Sequence, residues 1–178
     1  WMDMSEGCYG VSLLNDCKYG HSVKDGNIAL TLIKSGIEPN PTTDQEEHFF
    51  TYALYPHAGG WREADTAREA VKLNQPAYSV EGGNAGDAYS FLSVDSKNVM
   101  TETVKMAEYG NGVILRMFEY FNGRGKVNVT LGAKVASVQE CDLMENAIGD
   151  VQVAQDGKGF AFDIKPYEIK TFKVVFDK

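Results

Sequence analysis

The sequence lacks long apolar runs, basic tracts, and cysteines or histidines at metal-ligand spacing. Its longest apolar stretches, such as Val113-Ile114-Leu115, fall far short of the roughly 20 residues that a membrane-spanning helix requires. No basic, apolar, small-residue signal opens the chain. The expectation is a protein that neither spans a membrane nor is exported. Lys and Arg total 17 against 25 Asp and Glu, giving a net charge of -8, and no run of cations is long enough to track a phosphate backbone. Nucleic acid is therefore excluded as an expected partner.

Three cysteines, Cys8, Cys17 and Cys141, make an odd number without C-x-x-C spacing. That argues against a disulfide framework or thiolate zinc site and for a reducing, cytoplasmic compartment. The three histidines, His21, His48 and His57, form no H-x-H, H-E-x-x-H or His-Cys cluster, so no metal is expected within this chain. His48 and His57 read as structural histidines. The chain begins Trp1-Met2-Asp3 rather than with Met, which suggests a processed or excised piece.

What is present is an ordinary globular composition, with 43% hydrophobic and 24% charged residues in 178. That length suits one domain or two small modules. Short runs rich in Val, Ile, Thr, Tyr and Phe alternate with Gly, Asn and Asp, which predicts a mainly β chain. Strands are expected near Gly10–Leu14, Asn27–Lys34, His48–Tyr55, Ala88–Val94, Val99–Glu108, Gly112–Phe121, Lys126–Leu131, Lys134–Glu140, Val151–Ala154, Gly159–Ile164 and Glu168–Phe176. Asp25-Gly26, Asn111-Gly112 and Asp156-Gly157 favour type I′ hairpins. Phe160 and Phe162 should share one buried face. One helix is predicted over Arg62–Asn74, from the spacing of Trp61, Ala64, Ala67 and Val71 and the stop at Pro76. The glycine-rich stretch Glu81–Asp87 reads as a flexible joint.

The search for chemistry finds little. Asp16, Asp44, Glu46, Glu47, Glu102, Glu119, Asp142 and Glu145 are all carboxylates available to a hydrolase, but scattered acids are ordinarily solvated surface. No catalytic residue is assigned. Gly123-Arg124-Gly125 reads as a turn, and the sequon Asn128-Val129-Thr130 as part of a strand. Exposed rings among Tyr9, Tyr19, Tyr55, Trp61 and Tyr120 leave room for an independent carbohydrate-binding module as an alternative function.

The segment from Trp1 to Gly20, and above all Asn15-Asp16-Cys17-Lys18-Tyr19-Gly20, resembles a block of the family 38 α-mannosidases of the cytosolic and bacterial type. The resemblance continues through Glu47-His48-Phe49-Phe50-Thr51-Tyr52-Ala53-Leu54-Tyr55-Pro56-His57, Trp61-Arg62-Glu63-Ala64, Ser90-Phe91-Leu92-Ser93-Val94 and Thr103-Val104-Lys105-Met106-Ala107-Glu108. It resumes in Leu115-Arg116-Met117-Phe118-Glu119, Asp142-Leu143-Met144-Glu145 and Lys165-Pro166-Tyr167-Glu168-Ile169-Lys170-Thr171-Phe172. It implies the C-terminal, non-catalytic part of a retaining, zinc-dependent enzyme that hydrolyses terminal α-mannosyl residues. The zinc and the catalytic carboxylates are then expected in an upstream domain of the same chain, which becomes a partner, with a mannose-containing glycan as the substrate.

The fold implied is a partial mutarotase-like β-sandwich, residues 1–82, truncated at its N-terminus, followed by a smaller terminal β-sandwich, residues 83–178. A truncated sandwich would leave an open edge and an apolar face, so self-association of the fragment through Gly10–Tyr55 is expected. The resemblance also implies that the Asn15–Gly20 loop reaches the mannose site, with Asn15, Asp16, Lys18 and Tyr19 as substrate-binding candidates. An ordinary turn with Asn15 or Asp16 capping the backbone and Gly20 at positive φ is compatible with that role.

Overall fold

Asp25 and Gly26 both adopt positive φ, 51° and 74°, and close a tight hairpin between β3 (His21–Lys24) and β4 (Asn27–Leu30). Such turns need two left-handed residues, which aspartate and glycine tolerate. This hairpin belongs to a computed structural model that describes residues 1–83, 86 and 88–177. The described chain is mainly β with one short helix, and it divides into two compact units, Trp1–Gly83 and Asn84–Lys178. The joint expected over Glu81–Asp87 includes Asn84, Ala85 and Asp87, which lie outside the described residues.

In the first unit, β1 (Met2–Ser5), β2 (Tyr9–Asn15) and β5 (Tyr52–Ala58) form an antiparallel sheet with β2 in the centre. The strand expected at His48–Tyr55 thus lies three to four residues later. Pro56 is admitted because β5 is an edge strand, where a missing N–H breaks no central ladder. The helix α1 is shorter than the hydrophobic spacing suggests, Thr66–Asn74, because Asp65 sits at φ 59° and interrupts the turns that follow Gly59-Gly60. Its buried residues are Thr66, Ala67 and Ala70, and small side chains there let it pack closely on β2.

The second unit stacks two antiparallel sheets. The larger has the order β11-β10-β13-β8-β7, with β7 (Val99–Met106), β8 (Val113–Glu119), β10 (Val135–Cys141), β11 (Ala147–Val151) and β13 (Ile169–Phe176). The smaller has the order β12-β9-β6, with β6 (Leu92–Val94), β9 (Gly125–Leu131) and β12 (Gly159–Ile164). Leu115, Met117, Phe172 and Val174 from the first face Val127, Val129, Phe160 and Phe162 from the second in one core. Phe172 lies 4.8 Å from Phe160 and 4.6 Å from Phe162, ring centre to ring centre, and it is fully buried. Alternation along β9 and β12 sends every second residue into this core, as period-two strands require.

Two of the expected type I′ turns take other forms. The β7–β8 connection runs over 107–112 with Gly110 and Gly112, not Asn111, at positive φ. Gly112 is required there because a Cβ would come within 2.9 Å of the Val174 carbonyl oxygen. At Asp156-Gly157 only the glycine is left-handed, and its N–H donates to the Ala154 carbonyl at 2.9 Å. That makes a four-residue turn with a terminal left-handed glycine.

Candidate functional site

The segment Asn15–Gly20 leaves the end of β2 and delivers the chain to β3. Asn15 is buried, and its side chain is fully engaged in shaping this turn. Its Oδ1 accepts the Lys18 N–H at 2.7 Å, and its Nδ2 lies 3.1 Å from His21 Nε2. His21 Nδ1 lies 3.0 Å from the Tyr19 carbonyl. One neutral tautomer satisfies both ring nitrogens, with Nδ1–H donating to Tyr19 and Nε2 accepting from Asn15. The Asn15 carbonyl in turn accepts from Asn74 Nδ2 at 3.1 Å, which ties the turn to the end of α1.

Asp16 clamps the turn from the other side. Its Oδ2 accepts the Thr51 N–H at 2.9 Å, while its own N–H donates to the Thr51 carbonyl at 3.2 Å. The Thr51 amide, helped by the Cys17 thiol, holds the Asp16 carboxyl below the usual aspartate range. The same carboxylate pushes the Cys17 thiol up, so Cys17 stays protonated and is a poor nucleophile. Gly20 is not at positive φ. A Cβ there would lie a tight 3.0 Å from the Thr31 Cβ, where the Thr31 N–H donates to the Gly20 carbonyl at 2.8 Å.

Lys18 and Tyr19 are placed differently from their two neighbours. The Lys18 Nζ lies 4.8 Å from the Phe50 ring centre, a cation–π contact that steers the ammonium without using its hydrogens. Tyr19 is 90% exposed. Four candidates named from the sequence thus fall into two pairs, Asn15 and Asp16 building the turn, Lys18 and Tyr19 presented by it.

A buried polar cluster nearby was only half legible. His57 reads from sequence as a structural histidine, and its Nε2 lies 2.7 Å from Asp3 Oδ1 and 3.1 Å from Ser12 Oγ. Ser12 Oγ also donates to Asp3 Oδ1 at 2.6 Å and lies 2.8 Å from Thr66 Oγ1. Burial works to raise the Asp3 pKa, but hydrogen bonds from Ser12, Ser5 and His57 win and hold it below the usual range. The trio is not a nucleophilic relay. That chemistry needs hydroxyl and carboxylate on opposite ring nitrogens, whereas here both face Nε2 and the buried Nδ1 has no hydrogen-bond partner among the described residues. Asp3 and Ser12 carry no sequence signal for this role, since they come together only when β1 pairs with β2 and α1 covers them.

The second unit has its own buried carboxylate, Glu119, 1% exposed. Its Oε1 accepts from Asn98 Nδ2 and from the Phe121 and Gly123 amides, each at 2.9 Å, and its Oε2 accepts from the Tyr167 amide at 3.0 Å. Burial opposes ionisation, but the Tyr167 amide, Asn98 and the two further amides outweigh it and lower the pKa. Glu119 is therefore a fastener of three loops, with both carboxylate oxygens accepting from structure. Among the described residues no group of three or more His, Cys, Asp or Glu side chains is placed to hold a metal ion. Among the described residues no helix is long and apolar enough to cross a membrane.

Comparison with known proteins bears on both units. Residues 98–172 match the glycosyl hydrolases family 38 C-terminal β-sandwich domain, and residues 1–42 match the glycosyl hydrolases family 38 C-terminal domain. The chain is 35% identical over 187 residues to α-mannosidase G of Dictyostelium discoideum, covering 98% of this chain and 17% of that protein. It is 37% identical over 150 residues to human α-mannosidase 2C1, covering 82% of this chain and 14% of that protein. It thus spans under a fifth of the length of these relatives. A family 38 glycosyl hydrolase from Enterococcus faecalis shares the fold with a TM-score of 0.71 at 17% identity, over 98% of this chain and 22% of that one.

Proposed function

We propose, from the premise that this chain belongs to the C-terminal region of glycosyl hydrolase family 38, that it is the non-catalytic part of a retaining, zinc-dependent α-mannosidase. The whole enzyme would hydrolyse terminal α-mannosyl residues, with metal and catalytic carboxylates supplied by an upstream domain. In this reading the zinc chemistry belongs to the upstream domain and this chain takes no chemical step. Its contribution is positional. The observation that carries this reading is the division of labour in the Asn15–Gly20 turn. Asn15 and Asp16 fix the backbone, and the rigid turn presents the Lys18 ammonium and the Tyr19 hydroxyl, both suited to sugar hydroxyls. Such contacts accelerate hydrolysis to the extent that they strengthen in the transition state.

The free cysteines Cys8, Cys17 and Cys141 support a reducing, cytoplasmic setting. Self-association of the isolated chain is part of the same reading. The register of β1, β2 and β5 puts Met2, Val11, Leu13, Tyr52, Leu54 and Pro56 on one sheet face, and Leu54 there is 68% exposed. The purified 178-residue chain should not hydrolyse an aryl α-mannoside and should retain no zinc after dialysis. Turnover or stoichiometric zinc surviving purification to homogeneity would overturn the assignment.

A further inference from the structure

In the second unit, residues 152–158 turn back beside β12 as a hairpin, with Val153 bridging Phe160, and wall one side of an open groove of about 410 Å³ on the outward face of β9 and β12. That volume lies in the ~300–1,000 Å³ range of small-ligand sites. The floor is low because the register sets Gly159 beside Thr130 and Ala161 beside Asn128, so no bulky side chain fills the space. The wall is preformed. The Ala154 N–H donates to the Gly159 carbonyl at 2.8 Å, and the Leu131 and Val135 amides hold the Lys158 and Gly157 carbonyls at 2.7 Å and 2.8 Å.

The rim combines oriented groups with unused ones. The Asn128 carboxamide is aimed by Asp95 Oδ2 at 2.6 Å, and the Asp156 carboxylate accepts the Lys158 N–H at 2.9 Å. Among the described residues, the Thr130 hydroxyl, the Gln155 amide and the Lys126 and Lys158 ammoniums make no side-chain hydrogen bond or ion pair. Ammonium and carboxylate on one rim disfavour a strongly charged ligand of either sign. Ring hydroxyls suit such a rim, because each one donates and accepts at the same time. Ala154 and Ala161 offer apolar surface to a sugar's C–H face.

We propose that this groove is a saccharide-binding site, separate from the Asn15–Gly20 turn, for the arm of a neutral oligosaccharide. It rests on the groove's own chemistry and not on the hydrolytic reading. The test is an NMR titration of the isotope-labelled, folded chain with α-linked mannotriose, alongside cellotriose and inorganic sulfate. The expected result is saturable amide shifts confined to 126–130 and 152–161, half-complete near ~1 mM for at least one saccharide. The double variant Thr130→Val, Gln155→Ala should weaken that response at least about tenfold while leaving the rest of the spectrum in place. A stronger response to sulfate would make the groove an anion site and overturn the proposal. So would no shift up to ~50 mM saccharide, or shifts confined to residues 15–20. Hydrolysis is not read in this experiment, so its failure leaves the role of the turn standing.

Discussion

The two units solve the same problem of burying a β-sheet in different ways. The second covers one sheet with another, and Leu115, Phe172 and Val174 are fully buried between them. The first covers one face of a three-stranded sheet with α1 and leaves on the other face Leu54 and Tyr52 more than half exposed. Each unit also buries one carboxylate, but Glu119 fastens loops by accepting four N–H donors, whereas Asp3 joins two strands through Ser12 and His57. The contrast teaches that the second unit buries its sheets against each other, while the first leaves part of one sheet face in water.

The largest expected effect tests the packing of the second unit. Phe172→Ala removes a ring fully enclosed by two others and should cost about 3–5 kcal/mol. Amide exchange should accelerate throughout β8, β12 and β13 and stay unchanged in β2 and β5. Equal acceleration in both units would break the comparison.

Glu119→Ala should come next, at about 3 kcal/mol, because four buried or half-buried donors lose their acceptor together. The sign of the pH effect follows from its lowered pKa. Its contribution is fully present above the ordinary glutamate pKa and is lost as pH falls through the depressed folded value. Chemical denaturation at stepped pH should show the wild type losing stability across that acid window, with Glu119→Gln losing less. Asp3 obeys the same sign in the first unit. Ser12→Ala should cost about 1–2 kcal/mol there, read from the same denaturation series, since it removes a buried hydroxyl shared by Asp3, His57 and Thr66.

The smallest effect on stability is the most informative about the first unit. Leu54→Ser should change unfolding free energy by less than about 0.5 kcal/mol, because the side chain is already largely in water. It should nevertheless shift sedimentation toward monomer if the open face drives self-association. Unchanged association would place the contact elsewhere.

The pattern of what the sequence reveals follows the same division. Core strands of the second unit are legible because alternation of apolar and polar residues, as in Val127, Val129 and Leu131, is imposed by a two-sided core. The edge strand β11 (Ala147–Val151), exposed at four of its five residues, shares only Val151 with the strand expected over Val151–Ala154. In the first unit Met2–Ser5 goes unseen, since it holds its place through the Asp3 hydrogen bonds rather than through β-branched or aromatic side chains. His21–Lys24 is missed because all four residues are exposed and no periodicity forms. At the candidate site, resemblance singles out one stretch of chain, but only geometry separates Asn15 and Asp16, engaged with backbone, from Lys18 and Tyr19. Gly20 shows why: a tight approach to Thr31 and a left-handed turn both favour glycine, and residue type alone does not distinguish them.

The claim that the turn edges a mannose site is tested most directly in a longer chain that contains the upstream domain. Lys18→Ala and Tyr19→Phe should leave that enzyme folded and lower kcat/KM toward an aryl α-mannoside by about 10-fold to 100-fold, corresponding to roughly 1.4–2.7 kcal/mol of lost transition-state stabilisation. Wild-type kcat/KM in both variants would contradict the account and leave Asn15–Gly20 a turn with no part in hydrolysis.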